Sequence, residues 1–294
     1  MVKKDTGFQI MDHLIMIIMC FLVLFPLALL IMSSMSQEAD VMKFGYALIP
    51  RNLDLTAYKY IFGEGSVFHA YFITIVVTTI GTVLSVIMTT MISYTLTVQG
   101  LPGRKILSFY VLFTMLFSGG LVPSYMMWSN MFHIKNTIYA LIMPSLLCNA
   151  FHIMITRSYF QNNIPGEILE SARIDGMSEF GIFFKIVLPL STPIIATIGF
   201  MKALMYWNDW TNSLYYITDK NLVSIQALLN NMLTNAQYLA QSMDASMVAT
   251  GSASVPSLTL RMAVAVVGMI PMIVLYPFFQ KYYMKGLTVG AVKG

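Results

Sequence analysis

Carboxylates at helical spacing occupy a polar stretch at residues 162–193, which reads NNIPGEILESARIDGMSEFGIFFKIVLPLSTP. Pro165 can open a helix, because the amide that proline lacks would have no partner at that position. Glu167 and Glu170 then place negative charge in the first turns, where the helix dipole favours it. Gly176 can end the helix in the left-handed conformation at little cost. The stretch therefore predicts a short helix with acidic side chains near its start.

A second short helix is expected directly after the first. Ser178 can cap this second helix, with Glu179 just inside it, so the stretch forms a compact helix–turn–helix between two apolar runs. On the first helix, Ile168, Ala172 and the flanking Ile164 fall near one face. The small Ala172 would let another backbone or a groove approach closely. Such a small apolar face is a candidate for docking a partner protein.

Nucleotide, metal and enzyme motifs are missing from the sequence. Residues 100–105 combine glycines with basic residues, but their spacing is not GxxxxGK[ST], so they do not form a phosphate-binding loop of that type. The HExxH and GxSxG motifs do not occur, and there are no paired carboxylates at catalytic spacing. The 25 methionines lie mostly in apolar runs, where packing explains them better than a soft-metal relay does. We predict no catalytic residue, no metal site and no cofactor bound by this chain itself.

Histidines and cysteines give no second site. The four histidines are dispersed along the chain, and only His152 lies within an apolar run, where we expect a hydrogen-bonded packing role. Cys20 and Cys148 both lie in apolar runs and are expected to pack rather than to form a disulfide or a metal site.

The elements that must position these residues are membrane helices. Of the 294 residues, 57% are hydrophobic and 10% are charged, whereas about a quarter are charged in a soluble domain. The basic residues are scattered and form no dense patch, which argues against nucleic-acid binding. A bilayer core requires about 20 apolar residues per helix, with backbone amides paired inside the segment. We predict an all-α integral membrane protein with about six transmembrane helices, at residues 10–32, 69–96, 106–128, 137–159, 186–206 and 258–279.

The connections between these runs alternate in their density of basic residues. The N-terminus, the loop with Arg104 and Lys105, the segment at 157–185 and the C-terminal tail are the denser set. By the positive-inside rule, both termini are then cytoplasmic and the protein is a multi-pass protein of the cell membrane. The whole chain, 1–294, is expected to be one transmembrane domain, with a cytoplasmic loop at about 161–189 and external loops at about 33–68 and 207–257.

Apolar residues recur at helical spacing within the second external loop. They predict a short amphipathic helix on the outer surface, which either caps the helix bundle or contacts a partner. The residues concerned are Leu222, Ile225, Leu228, Leu229, Met232 and Leu233. No secretory signal is predicted, because the first apolar run is too long and lacks a cleavage site.

Several motifs point to a known family. The sequence ESA at 170–172, followed by DG at 175–176 and IVLP at 186–189, resembles the EAA loop of binding-protein-dependent ABC importer permeases. The layout is similar to that of the maltose-type carbohydrate permeases. The GGLVPSYMM run from Gly119 and the terminal FFQKYYMKGLTVGAVKG resemble the oligosaccharide branch called LplC or YtcP. Ser171 departs from the family's usual alanine, but serine is nearly as small and docking should survive.

This resemblance implies a type I ABC importer permease fold, in which the helix at 167–175 is a coupling helix seated in a cleft of the ATP-binding subunit. The implied partners are a second homologous permease subunit, two ATP-binding subunits, an extracytoplasmic solute-binding protein or lipoprotein, and an oligosaccharide substrate. ATP and Mg would be bound by the ATPase subunits, so the chain itself is no enzyme. The residues implied in ATPase coupling are Glu167, Glu170, Ser171, Ala172, Asp175 and Gly176.

Two of these residues receive specific roles. Glu170 would pair with a basic residue of the ATPase or hold the loop itself, and Asp175 would cap or brace the turn at Gly176. The competing interpretation is that both are solvated charges at a helix end.

Sugar recognition calls for aromatic stacking and hydrogen bonds to hydroxyl groups. Candidates for the substrate path cluster at the outer ends of two predicted spans: Tyr125, Trp128, Tyr206, Trp207, Asn208 and Asp209. Tyr and Trp also favour membrane interfaces because they are amphipathic, so an interfacial belt explains the rings equally well.

Three alternatives to an oligosaccharide importer stay open. The first is an ABC importer permease for a non-sugar solute, such as a peptide, an amino acid or a lipid-linked precursor. The second is a gradient-driven transporter, which needs ionisable groups within the spans. Asp12, Lys202 and Arg261 fall near span ends. His152 is then the one ionisable residue left inside a predicted span, so this alternative is weak. The third is an intramembrane enzyme, but the sequence contains none of the catalytic motifs considered above.

Overall fold

The computed structural model describes residues 6–63, 65–242 and 258–291, and the described chain is helical. Within those residues there is no β-strand, only an isolated antiparallel bridge between Ser36 and Leu53. The prediction of an all-α protein is therefore confirmed. The helices are α1 Thr6–Ser34, α2 Glu38–Phe44, α3 Thr56–Phe62, α4 Ser66–Thr95, α5 Arg104–Leu116, α6 Leu121–Met126, α7 Tyr139–Ile142, α8 Ala150–Asn163, α9 Gly166–Ile174, α10 Glu179–Ile182, α11 Leu188–Leu190, α12 Thr192–Trp207, α13 Thr211–Tyr216, α14 Ile225–Ser242 and α15 Leu258–Ala291.

Three of the described helices are long and apolar enough to cross a membrane, and up to five spans result if each of two bent pairs counts as one. The three single helices coincide with the first, second and last predicted spans. They are Gln9–Ser34, Ser66–Thr95 and Leu258–Pro277. The bent pairs lie at the third and fifth predicted spans, with bends of 116° between Arg104–Leu116 and Leu121–Met131 and of 82° between Glu179–Leu190 and Thr192–Trp207.

Prolines act differently in different spans. Pro26 lies inside α1, and Pro271 and Pro277 lie inside α15, without ending either helix. The chain around Pro144, by contrast, leaves the helical conformation: α7 has only four residues and residues 143–149 separate it from α8. The expectation of a continuous helix at 137–159 is therefore wrong.

The break between α7 and α8 has a local physical cause. Proline cannot donate a helical hydrogen bond and its ring crowds the preceding turn, and the next residue, Ser145, takes a left-handed φ of +61°. A new helix then starts at Ala150 and is capped by Asn149, whose side chain accepts a hydrogen bond from the amide of His152 at 3.2 Å. With 14 residues, α8 has a length of about 21 Å.

Contacts divide the chain into two compact units. The first combines residues 1–67 with 229–270. In it, Glu38 of α2 caps the start of α15, because its carboxylate accepts hydrogen bonds from the amides of Leu258 and Thr259 at 2.8 Å and from the Thr259 hydroxyl at 2.6 Å. The hydroxyls of Ser34 and Tyr58 lie 2.7 Å apart. The first predicted external loop thus contains two helices and internal polar contacts.

The second unit combines residues 68–228 with 271–294 and has two buried clusters. One, which we term the break cluster, surrounds the break between α7 and α8. Its buried members are Ile73, Val77, Ala140, Leu141, Ile142, Leu146, Tyr206, Tyr216 and Ile217. The other, the turn cluster, packs under α9 and α10. Its buried members are Tyr94, Phe160, Ile164, Ala172, Ile182, Phe183, Val187, Ile194 and Ile198.

Helix α14 corresponds to the predicted amphipathic helix. It starts at Ile225, and its apolar face is buried at Ile225, Leu229 and Met232, whereas Leu222 lies in the preceding 3₁₀ turn. The amide of Ile225 donates to the Thr74 hydroxyl at 2.8 Å. The beginning of the helix is therefore held by this chain's own α4.

Candidate coupling site and substrate path

Helix α9 presents acidic side chains on its solvent side. It starts at Gly166 after Pro165, close to the predicted start, and Glu167 lies in its first turn, where the dipole favours negative charge. Glu167, Glu170 and Asp175 are exposed, and no ion pair is recorded for them within the described residues. All three carboxylates are therefore available to a cationic partner.

The apolar residues of α9 divide between two faces. Ala172 is 6% exposed and belongs to the turn cluster together with the flanking Ile164, so the small side chain admits this chain's own core. Ile168 and Ile174 are 43% and 86% exposed. A docking protein would meet these two isoleucines, the three acids and the exposed Ser171 rather than Ala172.

The turn after α9 is built from local backbone preferences. Gly176 has a φ of +77°, as predicted, and the amide of Met177 donates to the Ala172 carbonyl at 3.0 Å, as in a Schellman motif. The predicted cap of the second helix is confirmed, because the Ser178 hydroxyl accepts from the Gly181 amide at 3.2 Å. Asp175 ends α9 through its backbone, and no side-chain hydrogen bond of Asp175 is recorded in the described part of the chain.

A three-residue clamp spans the same turn. Arg173 Nε donates to Glu179 Oε1 at 2.7 Å, and the buried Tyr94 of α4 donates its hydroxyl to Glu179 Oε2. The hydrogen bond to Glu179 holds the pKa of Arg173 above its ordinary value. The clamp connects α9, α10 and the end of the membrane-length helix α4.

Side chains from distant helices satisfy the carbonyl groups of the break. Tyr206 donates its hydroxyl to the Ile142 carbonyl at 3.0 Å, and Lys202 Nζ donates to the Leu146 carbonyl at 2.5 Å. The Ser85 hydroxyl donates to the Leu147 carbonyl at 2.8 Å, and Asn212 Nδ2 to the Pro144 carbonyl at 3.1 Å. Buried backbone that is not helical needs such partners.

Lys202 and His152 differ from expectation. Lys202 lies towards the end of α12, near a span end as expected, but it is fully buried, and its ammonium group donates to a carbonyl of the break. His152 is 4% exposed, and its Nδ1 has no hydrogen-bond partner in the described residues. The two cysteines, Cys20 and Cys148, are free and exposed in this chain rather than packed.

Of the six predicted substrate-path residues, two are buried, one is exposed and three are partly buried. Tyr206 and Trp207 are each 2% exposed. Tyr206 fills the space beside Gly81, and Trp207 lies 5.9 Å from the ring of Tyr71. Asn208 is exposed and donates to the Leu204 carbonyl at 2.9 Å.

The other predicted substrate-path residues keep polar or aromatic groups at the surface. Tyr125 stacks on Tyr216 with 5.6 Å between ring centroids, and Trp128 lies 5.2 Å from the ring of Phe132. Asp209 accepts hydrogen bonds from the amides of Thr211 and Asn212 at the start of α13. Partial burial raises the pKa of Asp209, against the opposing effect of these hydrogen bonds.

Sequence analysis missed the partners that lie far away along the chain. Arg173 and Glu179 are opposite charges on either side of a predicted turn, so their ion pair had a local signal. Tyr94 is 85 residues from Glu179, and no pattern in the sequence links the two. The donors to the break, such as Ser85, are likewise far from the carbonyls that they serve.

The family is decided by comparison with known proteins. Residues 81–289 match the family described as binding-protein-dependent transport system inner membrane component. The chain belongs to this family. The matched region includes the coupling-loop candidate, the break and the predicted substrate-path residues. The permease subunits of this family work as part of ABC transporters, which agrees with the resemblance of the EAA-like loop.

Curated relatives cover nearly the whole permease. The polygalacturonan/rhamnogalacturonan transport system permease protein YtcP of Bacillus subtilis (strain 168) is 37% identical over 292 residues, or 99% of this chain and 100% of YtcP. Protein LplC of the same organism is 34% identical over 92% of this chain and 89% of its own length. Among solved structures, a bacterial ABC transporter involved in the import of the acidic polysaccharide alginate matches with a TM-score of 0.78 and 26% identity, over 96% of this chain and 99% of that chain.

Proposed function

We propose that this permease translocates an oligosaccharide that an extracytoplasmic solute-binding protein delivers, and that separate ATPase subunits drive the transport. The functional unit would contain a second, homologous permease and two ATP-binding subunits, which hold ATP and Mg. The carbohydrate assignment is supported by three relatives named for polygalacturonan/rhamnogalacturonan or arabinooligosaccharide transport, each of which matches more than nine-tenths of this chain.

One observation carries the coupling role. Helix α9 is backed by a buried cluster, is clamped to α4 through Glu179, and offers Glu167, Glu170 and Asp175 on its free side. A force applied to this exposed face would reach the spans without first unfolding the loop. We propose Glu167, Glu170, Ser171 and Asp175 as contacts to the ATPase, with Ala172 and Gly176 fixing the shape that presents them.

The topology that we propose has six spans with both termini in the cytoplasm. Three long helices and two bent pairs supply five, and the interrupted α7–α8 segment supplies the sixth. Helix α9 then faces the cytoplasm, where the ATPase binds. ATP can drive the cycle only by favouring one conformation of the assembly over the other, and the clamp would carry that preference into α4.

The coupling role is tested on the reconstituted complex with charge variants of Glu170. Glu170→Lys should abolish stimulated ATP hydrolysis and transport by repelling a basic partner, whereas Glu170→Gln should lose less. Lys59→Glu serves as the matched charge reversal, since Lys59 is exposed on α3, and should retain both activities. Unchanged transport by the Glu170→Lys variant would refute the docking role.

The substrate path would use the members of the predicted set that are exposed or only partly buried. We propose Tyr125 and Trp128 for stacking on sugar rings, and Asn208 and Asp209 for hydrogen bonds to hydroxyl groups. Tyr206 and Trp207 would support this surface from below. Replacing Trp128 by Ala should then raise the solute concentration at half-maximal transport without changing the amount of assembled complex.

We further propose an acidic oligosaccharide as the cargo. YtcP is named for polygalacturonan and rhamnogalacturonan, and the solved transporter is described as importing alginate, and all three polymers contain uronic acids. Uptake of a labelled oligogalacturonide, with a neutral arabinooligosaccharide as competitor, separates the classes. If the neutral arabinooligosaccharide competes at equal concentration, the cargo is a neutral oligosaccharide instead.

A gradient-driven mechanism gains one supporting observation, the buried Lys202, because ionisable groups in spans mark proton and ion pathways. Its ammonium group, however, donates to a backbone carbonyl at the break. If transport into proteoliposomes requires ATP and is insensitive to a protonophore, this mechanism is excluded.

A further inference from the structure

Three basic residues line one cavity at the start of α5. Arg104 and Lys105 belong to the first turn of that helix, and Arg157 reaches the cavity from α8. The remaining wall is formed by the glycine-containing residues 100–103 and by residues of α5. No Asp or Glu is part of the lining. The cavity therefore concentrates positive charge without a neutralising group of its own.

The three cations are held in place but are not paired with carboxylates. Arg104 Nε donates to the Leu96 carbonyl at 2.8 Å, and Arg157 Nη1 donates to the Ser108 hydroxyl at 3.3 Å. Arg157 Nε is buried with no hydrogen-bond partner, and no ion pair is recorded for Arg104, Lys105 or Arg157 among the residues that the structure describes. Like charges brought together in this way favour an anion.

An apolar wall continues from the cationic end. Ile106, Phe109 and Leu112 of α5 line the same cavity and are 74%, 68% and 41% exposed. No residue of α5 is buried in this chain. A ligand that fits both ends carries an anionic group and a hydrocarbon chain, which distinguishes a phospholipid from a free inorganic anion.

The cavity lies on the same side of the chain as the coupling helix. Arg104 also lines a neighbouring cavity together with Glu170 and Arg173 of α9. Under the proposed topology this side is cytoplasmic, where anionic lipids concentrate and attract basic residues next to membrane helices.

We propose that the cavity formed by Arg104, Lys105 and Arg157 binds the headgroup phosphate of an anionic phospholipid of the cytoplasmic leaflet, with an acyl chain along Ile106, Phe109 and Leu112. The assignment of the leaflet rests on the proposed function, whereas the binding chemistry does not. Bound lipid would neutralise the cations beside the start of α5 and fix this helix next to α9.

Native mass spectrometry of the intact transporter complex tests the site without ATP or solute, so its outcome is independent of whether transport is observed. The complex is exchanged into mixtures of phosphatidylglycerol and phosphatidylcholine, and retained lipid is counted. Wild type should prefer phosphatidylglycerol. Lys105→Gln should weaken that preference about fivefold, the effect expected of one cation near the surface, and Arg157→Gln should weaken it at least as much.

Lys59→Gln is the matched control, because it removes one exposed positive charge elsewhere, and it should keep the wild-type preference. If Arg157→Gln fails to assemble, the exposed Lys105 still decides the result. Equal retention of both lipids, or equal loss in Lys59→Gln and Lys105→Gln, would overturn the site. Displacement of phosphatidylglycerol by millimolar inorganic phosphate would instead identify a free-anion site, and lipid binding by the single chain but not by the complex would show that the second permease covers this face.

Discussion

The permease interrupts its helices in two different ways. At residues 174–179 the chain reverses on the exposed side of the turn cluster, and Gly176 and Ser178 supply the left-handed residue and the cap within six residues. At residues 143–149 the chain leaves the helical conformation inside the break cluster. There the carbonyl groups receive hydrogen bonds from side chains more than 50 residues away, among them Lys202 and Tyr206.

The difference follows from solvent. A carbonyl group next to water is hydrated when it lacks a protein partner, whereas a buried one that lacks a partner costs about 1–3 kcal/mol. The backbone of the exposed turn therefore needs no distant partner, whereas the break is fixed by contacts with α4, α12 and α13.

The largest effect is expected from crowding the break. A Cβ on Gly81 would lie 2.5, 2.6 and 2.8 Å from three ring carbons of Tyr206, and that ring is held by its hydroxyl at Ile142. Gly81→Ala should therefore lower the stability of the permease by about 3 kcal/mol, measured as the apparent Tm of the purified complex.

Gly199→Ala is the matched control within α12. Its new Cβ would meet Val86 at an ordinary distance of 3.8 Å, and alanine favours a helix by about 1 kcal/mol. The apparent Tm of this variant should stay constant or rise. If the two variants behave alike, the close packing of Tyr206 against α4 is not what fixes the break.

A smaller loss is expected from removing one donor at the break. Tyr206→Phe keeps the ring but leaves the Ile142 carbonyl without this hydrogen bond, which should cost about 1.5 kcal/mol. The apparent Tm should fall, while the solute concentration at half-maximal transport should not change. A change in that concentration at unaltered Tm would show that Tyr206 contacts the substrate rather than supporting the path.

The exposed turn should tolerate substitution of its glycine better than the break tolerates substitution of Gly81. Gly176 has a φ of +77° with no atom near its would-be Cβ, so Gly176→Ala costs only the backbone strain of about 1 kcal/mol. Gly166→Ala, at the first residue of α9 with ordinary φ and open space, should be neutral or slightly stabilising. Equal Tm values for the two variants would contradict the assigned turn conformation.

The sequence predicts the exposed turn but not the side chains that support the break, because only the turn is determined by residues that are neighbours in the sequence. Gly176 and Ser178 act on their own neighbours, so their identity and spacing are sufficient evidence. Pro144 signals that a helix is disturbed, but its sequence neighbourhood does not say which distant side chains complete the carbonyl groups. Likewise, the sequence does not show that the ammonium group of Lys202 is buried and donates to the Leu146 carbonyl, because only the fold brings the two together.

The membrane spans also differ in how well the sequence predicts them. Two long apolar runs, α1 and α4, were predicted to within a few residues. The third and fifth runs bend by 116° and 82°, at Gly119 and Gly120 and between Pro189 and Pro193, and a hydropathy pattern does not distinguish these positions from the rest of a span. At the candidate site, the acids of α9 were predicted locally, whereas the contribution of Tyr94 from α4 was not.

The smallest effect on stability, and the most informative about coupling, is expected at the clamp. Arg173 and Glu179 are both partly exposed, with side-chain exposures of 36% and 45%, so a double-mutant cycle should give a coupling energy of about 0.5 kcal/mol. Charge exchange, Arg173→Glu with Glu179→Arg, should restore the ion pair but not the hydrogen bond that Tyr94 donates to the carboxylate. If the clamp carries force, each single variant should hydrolyse more ATP per solute transported at nearly unchanged Tm, and the exchanged pair should recover only part of the loss. If the ATP-to-solute ratio stays at the wild-type value in all three, the clamp only shapes the turn, and force enters the spans through the buried contacts of the turn cluster instead.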